Sequence, residues 1–405
     1  MSRIFDDINV LDFTNNVAGP ACASMMADHG ANVIKIERPV VGGDERQFNP
    51  RINGVAVQVW WLGRGKKSVE LALDDPDGIE IVKKMVKDAD IIIESFRPGI
   101  MKKFGLDYSS IVMINPQVVY CSISAYGQSG PYANKPGYDV IAQALSGFMD
   151  MTGDPNGPPT KIGPAVGDYT AALNAFGSIA AAMYHKLKTG EGQYIDVSIL
   201  DGLVEYNSSI EVCDAAKKNV TRNGNHMATI CPYGIYNGKK QQALVIAAPN
   251  EKLWKILCAV MGKEEEGNHP DIVTQDKRVM HIPQVVELIE GWLYQFDDIQ
   301  EAADLIEKAG VPCAKVKQTR ELITDVHLVG RGMIIDLPTP PGVATKGIPT
   351  VKARGPWVKF SKTPVEFVGA ADLGQHNMEV LTKYGLTEKE VDALEKKWRD
   401  KVLEK

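Results

Sequence analysis

Residues 160–200 read TKIGPAVGDYTAALNAFGSIAAAMYHKLKTGEGQYIDVSIL. From residue 170 onward, large apolar residues recur at steps of three and four, which is the spacing of an α-helix. Alanine, glycine and serine fill most positions between them, which predicts a helix packed closely on several sides. Gly190 ends the pattern, as a left-handed helix cap does. Asp168 therefore lies at the first turn, where the helix dipole favours an ionised carboxylate.

Asp168 allows two interpretations. The commoner one is an N-cap, in which the carboxylate accepts hydrogen bonds from the first backbone amides of the helix. The other is a nucleophile, because Gly167 carries no side chain to block a ligand and the long preceding loop can line a cleft. The local sequence by itself favours the cap.

Length and composition are those of an ordinary globular protein. The chain has 405 residues, and this length favours two domains. Its net charge of −6 gives no general attraction to nucleic acid. The six cysteines are scattered, the start does not read as a signal peptide, and no apolar run has membrane-spanning length. We therefore expect a cytoplasmic protein without nucleic-acid or membrane partners.

Short apolar strands alternate with helices over the first half of the chain. The strands are predicted at residues 8–13, 33–38, 68–73, 91–94, 118–124 and 194–198. Repeated β-α-β units indicate an α/β fold with a Rossmann-like parallel sheet covered on both faces. Ligands bind beyond the carboxyl ends of such strands, so the turns that follow them should surround one crevice. After residue 217 the pattern changes to a smaller α+β domain, with a hairpin turning near residues 237–238.

Several familiar cofactor motifs are missing, while basic residues gather near the predicted strand ends. The chain has no GxGxxG after its first strand, no GxxxxGK[ST] loop, no zinc-spaced cluster and no GxSxG elbow, so we expect no metal or dinucleotide cofactor. Arg38 ends the second strand, and Arg97, Lys102 and Lys103 follow the fourth. Each could be a surface ion pair, but together they suit several phosphates. The sequence therefore predicts a polyanionic ligand.

From end to end, the chain resembles the family III CoA-transferases, which include formyl-CoA and carnitine CoA-transferases. The matching stretches, in the family's order, are VLDFTNNVAGPACASMMADHGANVIKIERP (10–39), KKSVELAL (66–73), ESFRPGIMKKFGL (94–106), SAYGQSGPYANKPGYDVIAQALSG (124–147), GD (167–168), KTGEGQYIDVSILDGL (188–203), AGVPCAKV (309–316), RGM (331–333) and LGQHNMEVL (373–381). They cover most of the sequence.

This resemblance implies a transferase that moves CoA from an acyl-CoA donor to a carboxylic acid, with Asp168 as the catalytic nucleophile. Asp168 would form an acyl-aspartyl anhydride and then an aspartyl-CoA thioester. The resemblance also implies the residues that contact CoA. Those at the pantetheine are Val17, Ala18, Lys135, Gly137, Tyr138 and Asp139, those at the phosphates are Arg38 and Lys103, and those at the nucleotide are Leu71, Ala72, Leu73, Asp74, Ser95, Phe96 and Arg97.

An interlocked homodimer and a divided large domain are also implied by the resemblance. Residues 1–220 would form most of the CoA-binding domain, residues 221–315 the small domain, and residues 316–405 would return to complete the large one. The chain departs from some relatives at Val17, Ser95 and Lys103, where they have Gln, Asn and Arg. It also has no glycine-run loop between residues 224 and 246, which counts against formate or oxalate as substrate.

Two other functions stay open. An α-methylacyl-CoA racemase needs acid and base groups beside the substrate α-carbon. Where such enzymes have a histidine, this chain has Tyr138, and a phenol with a pKa of about 10 is a poor base at neutral pH. A non-catalytic acyl-CoA-binding protein is the other alternative. The sequence names neither the donor acyl group nor the acceptor acid.

Overall fold

A computed structural model describes residues 3–404 of the chain. Residues 1, 2 and 405 lie outside the described part. The strands are β1 (Asn9–Phe13), β2 (Asn32–Glu37), β3 (Arg51–Ile52), β4 (Val55–Ala56), β5 (Lys67–Glu70), β6 (Ile91–Glu94), β7 (Val119–Ser124), β8 (Tyr194–Ser198), β9 (Tyr233–Asn237), β10 (Ala243–Ala247), β11 (Cys313–Lys315), β12 (Ile334–Pro338) and β13 (Thr350–Arg354).

The α-helices are α1 (Ala18–Asp28), α2 (Val57–Leu62), α3 (Pro76–Val86), α4 (Ile100–Lys103), α5 (Tyr108–Ile111), α6 (Asp139–Leu145), α7 (Phe148–Met151), α8 (Val166–Thr189), α9 (Ile199–Glu205), α10 (Ser209–Ala216), α11 (Glu251–Val260), α12 (Gln275–Met280), α13 (Ile282–Leu293), α14 (Ile299–Lys308), α15 (Val326–Gly330), α16 (Pro341–Ala344), α17 (Asn377–Lys383) and α18 (Glu388–Leu403). Short 3-10 helices cover Asp44–Gln47, Lys239–Gln241, Glu266–Asn268 and Thr319–Thr324.

The large sheet is parallel throughout, in the order β5-β2-β1-β6-β7-β8. Numbered by appearance in the chain, this is the 3-2-1-4-5-6 order of doubly wound sheets. The predicted parallel α/β sheet is therefore confirmed. Every residue of the central strands β6 and β7 is buried, including Ser122 and Ser124 of β7, as in strands covered on both faces. The direction of winding reverses between β1 and β6, which is where such sheets open a ligand crevice.

Close helix packing explains the small residues of the quoted stretch. Every residue of α1 is buried, and α8 packs along it. Ala171, Ala172 and Ala175 are fully buried in α8, because alanine lets two helices approach closely. Gly190 ends α8 in the left-handed conformation, with φ 79°, as predicted. The burial is one-sided, however, because Leu173 and Leu187 on the same helix are exposed.

Two predicted helices are each broken in the structure. The helix expected over residues 138–151 is α6 and α7, separated around Gly147, whose φ of 86° lies outside helical space. The helix expected over residues 200–217 is α9 and α10, separated at residues 206–208. In both places the apolar periodicity continues across the break, so it does not reveal the interruption. The short hairpin β3–β4 and helices α2 and α12 were not predicted.

The chain forms two compact units. The larger comprises residues 1–147, 162–208 and 326–405, and the smaller comprises residues 148–161 and 209–325. The smaller unit thus begins before the predicted boundary at 221 and ends after 315, and it also includes residues 148–161. The roles assigned to the two domains stay predictions.

The smaller unit has an antiparallel sheet of its own, in the order β11-β10-β9. The predicted hairpin is the β9–β10 pair, in which Asn237 faces Ala243. Helices α11, α13 and α14 cover the sheet with apolar residues, and Trp254, Ile289 and Ile306 are completely buried among them. Across residues 3–404, none of the helices has the length and apolar character needed to cross a membrane.

The last two helices complete the large unit beside β5. The backbone N–H of Glu70 donates to Asn377 Oδ1 at 2.8 Å, and the N–H of His376 donates to the Ser68 carbonyl at 3.0 Å. Val391 and Trp398 of α18 join the same apolar core as Leu71. The end of the chain is therefore built into the large unit near the carboxyl end of β5.

Candidate active site

A cavity of about 480 Å³ lies beyond the carboxyl ends of the parallel strands. Its walls come from the turns after β1, β2, β5 and β6, from residues 137–138 after β7, and from α18. Strands in a sheet are about 4.8 Å apart, so the order β5-β2-β1-β6-β7 spreads these turns over roughly 19 Å. The cavity is thus the elongated crevice that the sequence predicts.

The structure brings most of the predicted CoA contacts to this cavity. Those that line it are Arg38, Leu71, Ala72, Leu73, Asp74, Ser95, Phe96, Arg97, Gly137 and Tyr138. The predicted residues outside the lining are Val17, Ala18, Lys103, Lys135, Asp139 and Asp168. Gathering ten residues from four separate turns at one crevice is what a parallel sheet does, since all its strand ends meet at one edge.

The turn after β1 presents residues other than the predicted ones. Val17 and Ala18 begin α1 and are buried, whereas Asn15 and Asn16 line the cavity. Asn15 donates its backbone N–H to Ser95 Oγ at 2.8 Å, which ties this turn to the one after β6. Asn16 has a φ of 66°, a conformation that asparagine tolerates better than most residues. The contact of Val17 and Ala18 with CoA stays a prediction.

Of the five predicted cations, Arg38 and Arg97 line the cavity, whereas Lys102, Lys103 and Lys135 do not. Arg38 Nη2 donates to Asp44 Oδ1 at 2.6 Å, in a largely exposed pair that also lines the cavity. Arg97 makes no salt bridge with any residue between 3 and 404. Lys103 is exposed on α4, and Lys135 lies with its Nζ 3.7 Å from the centre of the Tyr132 ring. Their roles toward phosphate stay predictions.

The C-terminal helix α18 forms part of the cavity wall, which the sequence does not predict. Trp398, Lys401 and Val402 of α18 line the cavity next to Leu71 and Asp74. These residues read as the apolar and charged faces of an ordinary terminal helix, and nothing in their spacing indicates a ligand. Only the packing of α18 onto the β5 side of the sheet brings them there.

Asp168 is not an N-cap. It is the third residue of α8, and its carboxylate makes no hydrogen bond with residues 3–404. The cap comes from Asp139, whose Oδ1 accepts the backbone N–H of Gly167 at 2.7 Å and of Asp168 at 3.3 Å. Gln143 Nε2 in turn donates to Asp139 Oδ2 at 2.7 Å. Because Asp139 takes the amides, the Asp168 side chain remains available for chemistry.

Gly167 is required for packing rather than for access to the carboxylate. A Cβ at this position would stand 2.9 Å from Asp139 Oδ1, 2.9 Å from Ile199 Cγ2 and 3.0 Å from Leu203 Cδ1. The absence of a side chain therefore lets α8 approach α9 and lets Asp139 reach the helix amides. This corrects the interpretation made from the sequence, in which Gly167 leaves space for a ligand.

Burial, together with the nearby charge of Asp139, raises the pKa of Asp168 to about 7. A carboxyl group with such a pKa is half ionised at neutral pH and more basic than an ordinary aspartate. Asp139 directly follows Gly137 and Tyr138, which line the cavity. Asp139 therefore connects the two regions: it follows the residues at one end of the crevice, and its carboxylate accepts from the amides at the start of α8, next to the Asp168 carboxyl group.

A buried charge cluster supports the turn after β1. Asp12 is completely buried, and its Oδ2 accepts from Lys66 Nζ at 2.8 Å. Lys35 Nζ lies 3.6 Å from Asp12 Oδ1 and 3.5 Å from Glu45 Oε1. Although burial opposes ionisation, the Lys35 and Lys66 ammonium groups hold the pKa of Asp12 below its usual range. The cluster joins β1, β2, the residue before β5 and the 3-10 helix Asp44–Gln47, directly before Asn15.

Residues 3–404 bring together no group of three or more His, Cys, Asp or Glu side chains that could hold a metal ion. The expectation that no metal takes part stays a prediction.

Comparison with known proteins gives consistent matches over nearly the whole chain. A family model described as "CoA-transferase family III" matches residues 5–377. Succinyl-CoA–D-citramalate CoA-transferase of Chloroflexus aurantiacus is 32% identical over 403 residues, covering 98% of both chains. Succinate–glutarate CoA-transferase of Agrobacterium fabrum is 32% identical over 386 residues, covering 93% of this chain and 94% of that one. The crystal structure of a CAIB/BAIF family protein from Brucella suis is 29% identical, with a TM-score of 0.85 over 95% of this chain and 100% of that one.

Proposed function

The chain belongs to CoA-transferase family III, and on that premise we propose that it transfers CoA from an acyl-CoA donor to a carboxylic acid through Asp168. The main support for this proposal is the environment of the Asp168 side chain. Its carboxyl group is partly buried, has a pKa raised to about 7, and is relieved of any capping role by Asp139. A nucleophile needs this combination of basicity and availability.

The cavity offers a suitable environment for CoA. Arg38 and Arg97 are cations for its phosphates, and Leu71, Phe96 and Tyr138 are apolar surface for the uncharged parts of the molecule. A ligand lying along the crevice with its thioester toward Gly137 and Tyr138 would bring the carbonyl carbon toward the start of α8. Asp139 would then act as a positioning residue for Asp168 rather than as a CoA contact.

In the first half of the proposed reaction, an Asp168 carboxylate oxygen attacks the thioester carbonyl carbon. The C–S bond breaks, CoA leaves as a thiolate, and an acyl-aspartyl anhydride remains. The thiolate then attacks the aspartyl carbonyl of the anhydride, which releases the donor acid as a carboxylate and leaves an aspartyl-CoA thioester. No proton is consumed, and the free energy of the thioester is conserved because water takes no part.

The second half runs the same two steps in reverse with another acid. An acceptor carboxylate attacks the aspartyl thioester, giving a second anhydride and a CoA thiolate. The thiolate attacks the acceptor's acyl carbon, which yields the new acyl-CoA and restores the Asp168 carboxylate. For the acyl group we propose a short dicarboxylic acid, since both relatives described above are named for succinyl-CoA or succinate.

A CoA exchange assay tests this function against the two alternatives. The enzyme is incubated with succinyl-CoA and a panel of isotopically labelled carboxylic acids, and new acyl-CoA species are measured by mass spectrometry. Transfer of CoA to at least one acid is expected. Exchange of the α-proton of a 2-methylacyl-CoA without CoA transfer would indicate a racemase instead. Tight binding of acyl-CoA with neither reaction would indicate a non-catalytic binding protein.

Asp139→Asn is expected to move the acidic limb of the pH profile to lower pH. The ionised form of Asp168 is the nucleophile, so kcat/KM should rise with pH through a pKa of about 7. Asparagine removes the neighbouring negative charge, while its Oδ1 still accepts the helix amides. The pKa of Asp168, and with it the midpoint of the acidic limb, should therefore decrease by up to about one pH unit. Steady-state rates between pH 5 and 9 measure this. A limb that stays in place or moves upward contradicts the proposed electrostatic coupling.

We also propose a homodimer, as the resemblance implies, with interlocked subunits. Leu173, Tyr184 and Leu187 are exposed on α8, with the small residues Gly177 and Ala181 between them. A second chain covering this face would remove apolar surface from water. Sedimentation velocity of the full chain should give the mass of two chains, and a single-chain mass at micromolar concentration contradicts the proposal. The cytoplasmic location stays a prediction from the sequence.

A further inference from the structure

We infer that the C-terminal helix α18 is part of the CoA site, and that Lys401 binds a phosphate of the nucleotide half of CoA. This inference rests on the proposed function for the identity of the ligand. It goes beyond that function because it gives a binding role to α18, which none of the matching sequence stretches includes.

The direction of the ligand follows from the order of the strands. Gly137 and Tyr138 form the end of the crevice next to Asp139 and Asp168. Leu71–Asp74 follow β5, at the opposite edge of the sheet, and Lys401 lies beside them. A CoA thioester that reacts at Asp168 must therefore place its other half toward α18. That half carries all the phosphates of the molecule.

Lys401 is the cation that faces Asp74 at this end of the crevice. Asp74 lines the same wall, and its Oδ2 lies 3.0 Å from Lys401 Nζ. Without the lysine, the carboxylate of Asp74 would repel a phosphate. With it, the local charge is balanced, and the partly exposed ammonium group can turn toward a phosphate oxygen as a charge-assisted donor. Asp74 thus moderates the affinity that Lys401 supplies.

Trp398 lies at the same wall. The side chain is 1% exposed and lines the cavity. Its indole Nε1 is enclosed by protein, so the ring offers a ligand apolar surface rather than a hydrogen-bond donor. The nucleotide half of CoA would therefore meet apolar surface beside the Lys401 ammonium group.

The chain provides a matched control one turn earlier on α18. Lys397 pairs with Asp75 Oδ2 at 2.8 Å and Asp77 Oδ2 at 2.9 Å, and so ties α18 to the same β5–α3 turn as Lys401 does. It does not line the cavity. Lys397→Gln and Lys401→Gln each remove a salt bridge between α18 and this turn, but only Lys401→Gln removes a cation from the crevice.

The test is isothermal titration calorimetry of the full chain with CoA, 3′-dephospho-CoA and pantetheine. Lys401→Gln should weaken CoA binding about 10-fold, a typical loss for one charge-assisted hydrogen bond at a partly exposed site. Lys401→Arg should retain most of the affinity, Asp74→Asn should increase it several-fold, and Lys397→Gln should change it less than twofold.

The three ligands separate the possible outcomes. If Lys401→Gln weakens CoA but not 3′-dephospho-CoA, the lysine binds the 3′-phosphate; an equal loss for both assigns it to the pyrophosphate. Unchanged CoA affinity, a loss equal to that of Lys397→Gln, or an equal loss for pantetheine overturns the inference. Because binding is measured without turnover, an enzyme that binds CoA in this way but transfers nothing would refute the proposed function alone. Normal CoA transfer by the parent enzyme, together with unchanged CoA affinity in Lys401→Gln, would refute only the inference.

Discussion

Asp168→Asn is expected to lower the rate of CoA transfer by at least about 10⁴-fold, the scale seen when the nucleophile of a covalent mechanism is removed. The amide has nearly the shape of the carboxyl group, but it cannot attack a thioester or carry CoA. Binding of CoA should change less than about threefold, since Asp168 does not line the cavity. Rates of CoA transfer and calorimetric titration with CoA measure the two quantities separately.

The matched control is Asp201→Asn. Asp201 is the third residue of α9, just as Asp168 is the third residue of α8, and it is exposed. The variant loses the same charge from the first turn of a helix and should keep its activity within about twofold. Trapping gives a direct readout: incubation with acyl-CoA and hydroxylamine should modify Asp168 in the parent enzyme. Modification at another residue in an active preparation would exclude Asp168 as the nucleophile.

Lys66→Met is expected to reduce the free energy of unfolding by about 3–5 kcal/mol, the typical cost of breaking a buried ion pair on one side. Lys66 donates to Asp12 Oδ2 at 2.8 Å and to the Pro20 carbonyl at 2.9 Å, and water reaches neither charge. Methionine fills a similar volume but leaves Asp12 and Glu45 with Lys35 as their only cation in the cluster. Urea denaturation followed by circular dichroism measures the change.

Lys67→Met is the control for this second effect. Lys67 is the next residue after Lys66 in the sequence. It pairs with Glu379 at 2.7 Å on the surface, where both side chains are well exposed. Such pairs contribute less than about 1 kcal/mol, so the variant should unfold close to the parent. The double variant Asp12→Leu/Lys66→Met should recover much of the stability, because it removes both charges together. Equal midpoints for Lys66→Met and Lys67→Met would contradict the structural role of the cluster.

The parallel sheet could be predicted because its strands are short segments rich in apolar residues, and segments with helical periodicity separate them. The six predicted strands agree with the observed ones within a few residues at each end. The breaks at Gly147 and at residues 206–208 could not be read in the same way. Apolar spacing reports which face of a segment is buried, and that face continues through both interruptions.

Much of the candidate site was also accessible from the sequence, for a topological reason. Residues directly after parallel strands meet at one edge of the sheet, so Arg38, Ser95 and Arg97 could be placed together without knowing the strand order. The first turn was less predictable, because Asn15 rather than Val17 faces the cavity. Which residue of a turn points toward the ligand depends on backbone angles such as the positive φ of Asn16.

By itself, the sequence determined the α/β class and the crevice beyond the strand ends, because both follow from local periodicity. The role of the Gly167-Asp168 pair is predicted from the resemblance to a known family. Tertiary structure alone decided that Asp139 caps α8 and leaves Asp168 uncapped. It alone also decided that Lys401, far away in the chain, stands beside Asp74. Both are contacts between segments distant in sequence, and no local pattern encodes the partner that folding brings within a few ångströms.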